Sequence, residues 1–184
     1  MSAALPEELT DGAVTLRPWR EEDAPALAAC LDGDPEVTAW LDRIPQPYTI
    51  ADALAYMRGE TGAPRESRFA VATAGGDVVG SIGAMWNESG DVAEIGYWTR
   101  ADARGRGTTT RALRLVTAWA LEHGAERVQL RADVENVASR RVAEKVGFLA
   151  EGVLRAAYWN PRLDRRQDWV MYSLLPGELA AGTA

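Results

Sequence analysis

The segment Ala93-Glu-Ile-Gly-Tyr-Trp98, followed by Arg104-Gly-Arg-Gly107, decides the fold of this 184-residue chain. The first segment is rich in β-forming residues and predicts a strand over 92–98. The second is a glycine-rich loop that opens a long predicted helix, from about Gly107 to His123. The first N–H groups of a helix lack intrahelical partners and lie at the positive end of its dipole. This junction therefore predicts a site for phosphate or pyrophosphate.

Two familiar nucleotide-binding loops do not fit this junction. A P-loop needs Gly-Lys followed by Ser or Thr, but the only lysine of the chain is Lys145, in another predicted helix. The dinucleotide-binding fingerprint needs a third glycine where Thr110 stands, and the loop after Trp98 is too long for it. A surface loop of arginine and glycine without a ligand remains the alternative.

The flanking sequence predicts one α/β (α+β) domain with a mixed, mostly antiparallel sheet. Period-two patterns and turn residues predict strands at 14–17, 68–73, 78–85, 127–131, 148–156 and 166–174. Helical spacing of apolar residues predicts helices at 21–31, 36–41, 51–58 and 136–146. Hairpins come first and a strand-loop-helix-strand-helix series follows, so helices are expected to flank the sheet.

Composition narrows the possible functions. The net charge of −7 argues against a dedicated nucleic-acid binder and suits a cationic partner such as an amine. The single cysteine, Cys30, excludes an internal disulfide, and the single histidine, His123, stands before Gly124 at a helix end. The sequence therefore does not supply the histidines and cysteines that a metal cluster, a Ser-His-Asp triad or a Cys-His pair requires. Without an apolar leader or a long apolar segment, we expect a cytoplasmic protein that binds no membrane.

Four ordered motifs resemble the Gcn5-related N-acetyltransferase (GNAT) family. They are the strand 93–98, the loop 104–107, Asn136-Val-Ala-Ser139 and Lys145-Val-Gly-Phe148. The opening Val14-Thr-Leu-Arg-Pro18 and the closing Asp168-Trp-Val-Met-Tyr-Ser-Leu174 resemble the RimJ/RimL-like branch, which acetylates ribosomal-protein N-termini. The resemblance implies a single-domain GNAT fold at 12–175, with an N-terminal extension at 1–11 and a tail at 176–184. It also implies a sheet of six to seven strands with a splayed central strand pair.

The same resemblance implies acetyl-CoA, or another acyl-CoA, as the cosubstrate. The family pattern Gln/Arg-x-x-Gly-x-Gly/Ala falls on Arg104, Gly107 and Thr109, and Thr109 places a β-branched side chain where the family keeps the backbone bare. Asn136 matches a residue that binds the pantetheine arm, although asparagine also suits a helix N-cap. The residues expected to contact the acyl-CoA are Tyr97, Trp98, Thr99, Arg104, Gly105, Arg106, Gly107, Thr108, Thr109, Asn136 and Ser139.

The implied reaction is direct acyl transfer to a primary amine. Glu94 is the candidate general base, acting through water, and a backbone N–H near Tyr97 is expected to hold the oxyanion. The helix tyrosine that many members use as the acid is replaced by Ala143, and Ser139 matches the serine of the ribosomal branch. A strand carboxylate and a surface helix serine are the structural alternatives for Glu94 and Ser139.

The acceptor pocket is expected opposite the cosubstrate, and the acceptor is a protein N-terminus or a small-molecule amine. Its candidate aromatic walls are Trp40, Tyr48, Trp86, Tyr158 and Trp159, and the carboxylates that could attract a cation are Glu36, Asp42, Asp164 and Asp168. Two other functions stay open: an acyl-CoA sensor without turnover, and an acyltransferase that prefers a donor such as succinyl-CoA. The chain could be a monomer or a homodimer.

Overall fold

One sheet organises the residues that the computed structural model describes, which are 8–41, 44–61 and 65–179. Its eight strands lie in the order β1-β2-β3-β4-β5-β6-β8-β7. The strands are β1 (Leu9–Thr10), β2 (Val14–Arg17), β3 (Glu66–Thr73), β4 (Val78–Trp86), β5 (Val92–Thr99), β6 (Arg127–Asp133), β7 (Leu149–Asn160) and β8 (Arg165–Leu174). The α-helices are α1 (Ala24–Asp32), α2 (Pro35–Trp40), α3 (Ile50–Met57), α4 (Thr108–Glu122) and α5 (Val137–Val146). This is the predicted α/β architecture.

The sheet has eight strands, one more than the upper value of the predicted six to seven. The additional strand, β1, pairs with β2 and lies within the region 1–11 that was predicted to be an extension. Its two residues are too few for an alternating pattern to show. Strand β7 also runs beyond the predicted end at Ala156, because pairing with β8 resumes at Tyr158 after an irregularity that follows Leu154.

The central strands β5 and β6 diverge after three residue pairs. They pair in parallel from Val92–Arg127 to Glu94–Gln129. Beyond that point β5 stays paired with β4 up to Thr99, and β6 stays paired with β8 up to Asp133. Each strand follows its antiparallel neighbour, so a gap opens between them and the predicted splayed pair is present.

Gly80 lies opposite Thr99, at the end of β5 that is remote from its pairing with β6. A Cβ atom at Gly80 would lie only 2.5 Å from the backbone oxygen of Trp98. Glycine therefore allows the close approach of β4 and β5 at this point. Side chains along β5 alternate as predicted: Ile95 and Tyr97 pack with the core under α4, whereas Trp98 packs with α1–α3.

The larger core lies between the sheet and α4. Trp119 of α4 is 1% exposed and meets Phe69 and Trp86 edge-on, with ring centroids 5.4 and 5.9 Å apart. Such edge-to-face contacts are a favoured arrangement of aromatic rings. The smaller core is formed by α1–α3, with Leu27 and Ala53 fully buried. The two cores hold β5 from opposite faces.

The tip of the β7–β8 hairpin fastens α2. Buried Asn160 donates from Nδ2 to the backbone oxygen of Ala39 at 2.9 Å, and its Oδ1 accepts from the N–H groups of Arg162 and Leu163. Arg162 donates to the backbone oxygen of Thr38 at 2.8 Å and also to that of Ile44. These bonds satisfy carbonyls at the end of α2 and fix the position of that short helix.

No helix in the described part of the chain combines the length and the apolar character of a membrane span.

A buried ion pair joins β2 to the turn that leads into α1. Arg17 donates to both carboxylate oxygens of Asp23, at 2.7 and 2.9 Å, and the backbone N–H of Arg20 donates to Asp23 at 2.9 Å. Burial alone would raise the pKa of Asp23. The hydrogen bonds from Arg17 and Arg20, with the charge of Arg17, outweigh burial and lower that pKa below its ordinary value of 3.8.

We expect Asp23→Asn to lower the free energy of unfolding at pH 7 by about 3 kcal/mol, because it leaves the Arg17 charge buried without its partner. The exposed Glu22→Gln variant should change it by less than about 0.5 kcal/mol. Since the folded-state pKa of Asp23 is lowered, its contribution is complete above the unfolded pKa and is lost as the pH falls through the folded pKa. Urea unfolding from pH 7 downward should show the free energies of unfolding of wild type and Asp23→Asn converging. A difference between them that does not change with pH would contradict this.

Candidate functional site

Two cavities meet at the gap between β5 and β6. The first, of about 190 Å³, lies between α2, the end of β5 and the beginnings of α4 and α5; we call it the loop cavity. The second, of about 310 Å³, lies over β5, β6 and the β7–β8 hairpin; we call it the sheet cavity. Residues that line both are Trp40, Leu41, Tyr97, Asn136 and Ser139. A ligand in one cavity can therefore approach a ligand in the other at the gap.

The glycine-rich loop brings bare backbone to the loop cavity. Gly105 and Gly107 have φ angles of +74° and +80°, the region that glycine adopts without strain. Gly107 is the N-cap of α4, and among the described residues no side chain caps that helix. The first N–H groups of α4 therefore have no side-chain partner among the described residues, and the anion site at this helix end stays a prediction. Gly105 and Thr109 line the cavity, whereas Arg106, Gly107 and Thr108, which were also predicted to contact the ligand, do not line it.

Thr109, which departs from the family pattern, has a local partner. Its hydroxyl lies 2.7 Å from the hydroxyl of Thr99, the last residue of β5. The β-branched side chain thus ties the start of α4 to the end of β5. Trp98 and Thr99 line the loop cavity beside it, on the strand edge that β6 has left.

Arg104 lines the loop cavity, but its guanidinium is paired with acidic side chains of this chain. Its Nε donates to the backbone oxygen of Thr99 at 3.0 Å, and its guanidinium pairs with Glu36 at 2.6 Å and with Asp34. Asp34 also caps α2 by accepting from the N–H groups of Glu36 and Val37. Sequence reasoning missed this ion pair, although Asp34-Pro35 is a recognisable helix start. Arg104 consequently links the glycine-rich loop to α2.

The N-terminus of α5 places Ser139 in the gap. Asn136 is the N-cap, and its Oδ1 accepts from the N–H of Ser139 at 3.0 Å, so the N-cap alternative for Asn136 is realised. The Ser139 hydroxyl lies 2.9 Å from the phenol oxygen of Tyr97. Burial raises the pKa of Tyr97 to about 12, so its phenol stays protonated at neutral pH. Ala143 is fully buried one turn further along α5.

Glu94 lines the sheet cavity at the last position where β5 pairs with β6. One carboxylate oxygen accepts from Arg131 Nε at 2.9 Å and from Arg131 Nη2, and the other accepts from Gln129 at 3.1 Å. The Arg131 guanidinium lies over the Trp169 ring at 4.7 Å, and Trp169 stacks on Tyr158 at 5.3 Å. These contacts hold the Glu94 carboxylate in a fixed position at the cavity wall. Neither Arg131 nor Trp169 was among the residues predicted for the site.

The aromatic residues proposed as acceptor walls separate into two groups. Trp40 lines both cavities and Tyr158 lines the sheet cavity. Trp86 is 6% exposed in the larger core, and Trp159 is 49% exposed on β7; neither lines either cavity. Tyr48 is buried in the smaller core. Only the surrounding fold distinguishes a core tryptophan from a wall tryptophan.

The carboxylates proposed to attract the acceptor are also scattered. Glu36 lines the loop cavity, Asp42 lies outside the described residues, and Asp164 is exposed on the β7–β8 turn. Asp168 accepts from the N–H of Ala156 at 2.7 Å and lines neither cavity. Asp133, which the sequence did not single out, lines the sheet cavity and accepts from Gln167 at 2.7 Å.

Among the described residues, no group of three or more histidine, cysteine or acidic side chains is arranged to hold a metal ion.

A family model for the acetyltransferase (GNAT) domain matches residues 13–149. YdaF of Bacillus subtilis (strain 168), provisionally named a ribosomal N-acetyltransferase, is 40% identical over 87 residues. That match covers 47% of this chain and 46% of YdaF, so the chain matches about half the length of this relative.

Solved structures share the fold over nearly the whole chain. An acetyltransferase structure from T. thermophilus, also provisionally named, is 31% identical with a TM-score of 0.80; the match covers 96% of this chain and 93% of that one. Mycobacterium smegmatis RimJ in complex with CoA-disulfide is 21% identical with a TM-score of 0.78, covering 98% and 91%. At that identity the RimJ likeness concerns the fold alone.

We expect Glu36→Gln to strengthen the binding of ADP, a simple pyrophosphate probe, by up to about fivefold, because it removes a negative charge from the edge of the loop cavity. Glu122→Gln makes the same charge change at the other end of α4, roughly 20 Å away, and should leave the affinity unchanged. Calorimetric titration at two salt concentrations measures both, and the gain should shrink at the higher one. Equal affinities for Glu36→Gln and wild type would place the anion elsewhere.

Proposed function

Because this chain belongs to the GNAT family of acetyltransferases, we propose that it transfers the acetyl group of acetyl-CoA directly to a primary amine. The observation that carries this proposal is the meeting of the two cavities at the gap between β5 and β6. An uncapped helix N-terminus stands at the end of the loop cavity, and a carboxylate stands on the wall of the sheet cavity. The first suits the cosubstrate, and the second suits the acceptor.

The residues of the loop cavity fit an acyl-CoA. The free N–H groups at the start of α4 suit the pyrophosphate, and the edge of β5 from Tyr97 to Thr99, which β6 has left, suits the amide-containing pantetheine arm. Asn136 and Ser139 lie where that arm would enter the gap. RimJ, a protein of the same fold, was solved in complex with CoA-disulfide, which is consistent with a CoA ligand on this fold.

Bound acetyl-CoA supplies the thioester carbonyl that the amine attacks. Glu94 is the proposed general base: it accepts a proton from the ammonium group, directly or through one water, and Arg131 keeps its carboxylate oriented toward the sheet cavity. A backbone N–H of β5 near Tyr97 stabilises the oxyanion. Ser139, in the gap, hydrogen-bonds the departing sulfur. The acceptor is a protein N-terminus or a small amine that lies against Trp40 and Tyr158.

The test of the cosubstrate site is calorimetric titration of acetyl-CoA and CoA into wild type and Gly107→Glu. We expect micromolar binding by wild type and a loss of at least about tenfold in the variant, because the substitution places a carboxylate at the helix N-terminus. Gly76→Glu is the matched control: Gly76 has a φ of +83°, close to the +80° of Gly107, and a Cβ at either residue meets nothing within 4 Å.

The control separates backbone strain from lost binding. If Gly76→Glu and Gly107→Glu lose similar stability but only Gly107→Glu loses affinity, the pyrophosphate binds at the N-terminus of α4. If wild type binds neither ligand, both the enzyme and the sensor without turnover are excluded. Binding without acceptor-dependent release of the thiol would favour the sensor. Faster release from succinyl-CoA than from acetyl-CoA would identify succinyl-CoA as the preferred donor.

With an acceptor found by screening peptides, amino acids and polyamines for thiol release, we expect Glu94→Gln to lower kcat by about a hundredfold or more, because general-base assistance is lost. The affinity for acetyl-CoA should not change. Glu151→Gln is the control, since Glu151 is also a strand carboxylate paired with an arginine, Arg127 at 2.6 Å, but lines neither cavity. Equal kcat values for the two variants would remove Glu94 from the chemistry.

A further inference from the structure

We propose that Tyr97 is a positioning residue for departure of the thiol, with its phenol hydroxyl holding Ser139 so that the serine O–H points at the sulfur. This inference rests on the proposed function and concerns the step in which the C–S bond breaks. It gives the Tyr97 side chain a role of its own, distinct from that of the β5 backbone.

The contact joins two elements that the splay brings together. Tyr97 lies on the part of β5 that β6 has left, and its ring packs against the larger core. Its phenol oxygen reaches the first turn of α5, 2.9 Å from the Ser139 hydroxyl and 3.2 Å from the Ser139 backbone oxygen. Both residues line both cavities, so the pair stands where a thioester and an amine would meet.

Two arrangements of the hydroxyl hydrogens are compatible with these distances. In the first, Tyr97 donates to Ser139 Oγ, and the serine hydrogen is directed into the gap. In the second, Ser139 donates to Tyr97, and Tyr97 donates to the Ser139 backbone oxygen. Negative charge on a sulfur in the gap attracts the serine hydrogen and selects the first arrangement. A donor that already receives a hydrogen bond is also a stronger donor.

Tyr97 is suited to donate. Burial keeps its phenol protonated well above neutral pH, so it does not become an acceptor-only anion in the working range. Asn136 fixes the other partner, because its bond to the Ser139 N–H locks the first turn of α5. Position 143, where the resemblance leads one to expect a tyrosine in many members of the family, holds an alanine that is fully buried in the larger core. The phenol beside Ser139 is that of Tyr97, on β5.

The step balances without a change of protonation at Tyr97 or Ser139. The amine nitrogen bonds to the carbonyl carbon, and its proton leaves to Glu94 or water. The C–S bond then breaks, and its electron pair stays on sulfur as a thiolate. Ser139 donates a hydrogen bond to that thiolate, Tyr97 donates to Ser139, and water finally protonates the thiolate. The pair stabilises the leaving group and supplies no proton itself.

The test is the pKa of the CoA thiol when CoA is bound, measured by the ultraviolet absorbance of the thiolate. This readout needs no acceptor and no turnover. We expect Ser139→Ala to raise the bound-thiol pKa by about one unit, the size of a lost hydrogen bond to a charged group, and Tyr97→Phe to raise it by roughly half a unit. The double variant should match Ser139→Ala, because Tyr97 acts only through the serine.

Tyr172→Phe is the matched control. Tyr172 is a fully buried tyrosine whose hydroxyl also bonds to α5, through Glu144 at 2.9 Å and Arg140 at 3.3 Å, but it lines neither cavity. It should leave the thiol pKa unchanged. With an acceptor in hand, Tyr97→Phe should lower kcat about threefold at an unchanged KM for acetyl-CoA, following the same half-unit effect.

Three results would overturn the inference: an unchanged thiol pKa in Tyr97→Phe, an effect that adds fully to that of Ser139→Ala, or an equal effect of Tyr172→Phe. Absence of CoA binding by wild type would instead overturn the proposed function itself. The two failures are therefore distinguishable in one experiment.

Discussion

A strand inside a sheet can hydrogen-bond to two neighbours, and β5 gives up one of them after Glu94. The remainder of the site depends on that loss. Strand β4 stays paired with β5 as far as Thr99, and β8 stays paired with β6 as far as Asp133, so the two central strands diverge. The gap that results exposes backbone on β5, lets the Tyr97 side chain reach α5, and leaves Glu94 on the wall of the sheet cavity.

Much of this architecture is predictable because it is local. Alternation along β5 assigns Tyr97 and Trp98 to opposite faces, and the glycines before α4 mark the proposed anion cradle without any knowledge of distant residues. The divergence of β5 and β6 was predicted only from the family resemblance, because the strand with which β5 pairs depends on residues far away in the sequence. The two residues of β1 carry too little pattern to predict.

Contacts between distant segments are what the sequence could not supply. The sequence predicts that Arg104 binds phosphate. Its partners in the structure, Asp34 and Glu36, lie 70 and 68 residues earlier in the chain. Trp40 and Trp86 have the same side chain, yet one lines the cavities and the other fills the core, and only packing decides between them. The pairing of Tyr97 with Ser139 spans 42 residues and has no sequence signature.

The hydrogen bonds between the tip of the β7–β8 hairpin and α2 affect the order in which the protein folds during synthesis. Ala39 and Asn160 are 121 residues apart, so at usual elongation rates about 6–24 s separate their emergence from the ribosome. Throughout that interval the Ala39 carbonyl lacks the partner that it has in the folded protein. The end of α2, which supplies Trp40 to the wall that both cavities share, therefore gains its hairpin contacts late. A chain that stops before Asn160 has every residue of the proposed anion cradle but none of the contacts between α2 and the hairpin tip.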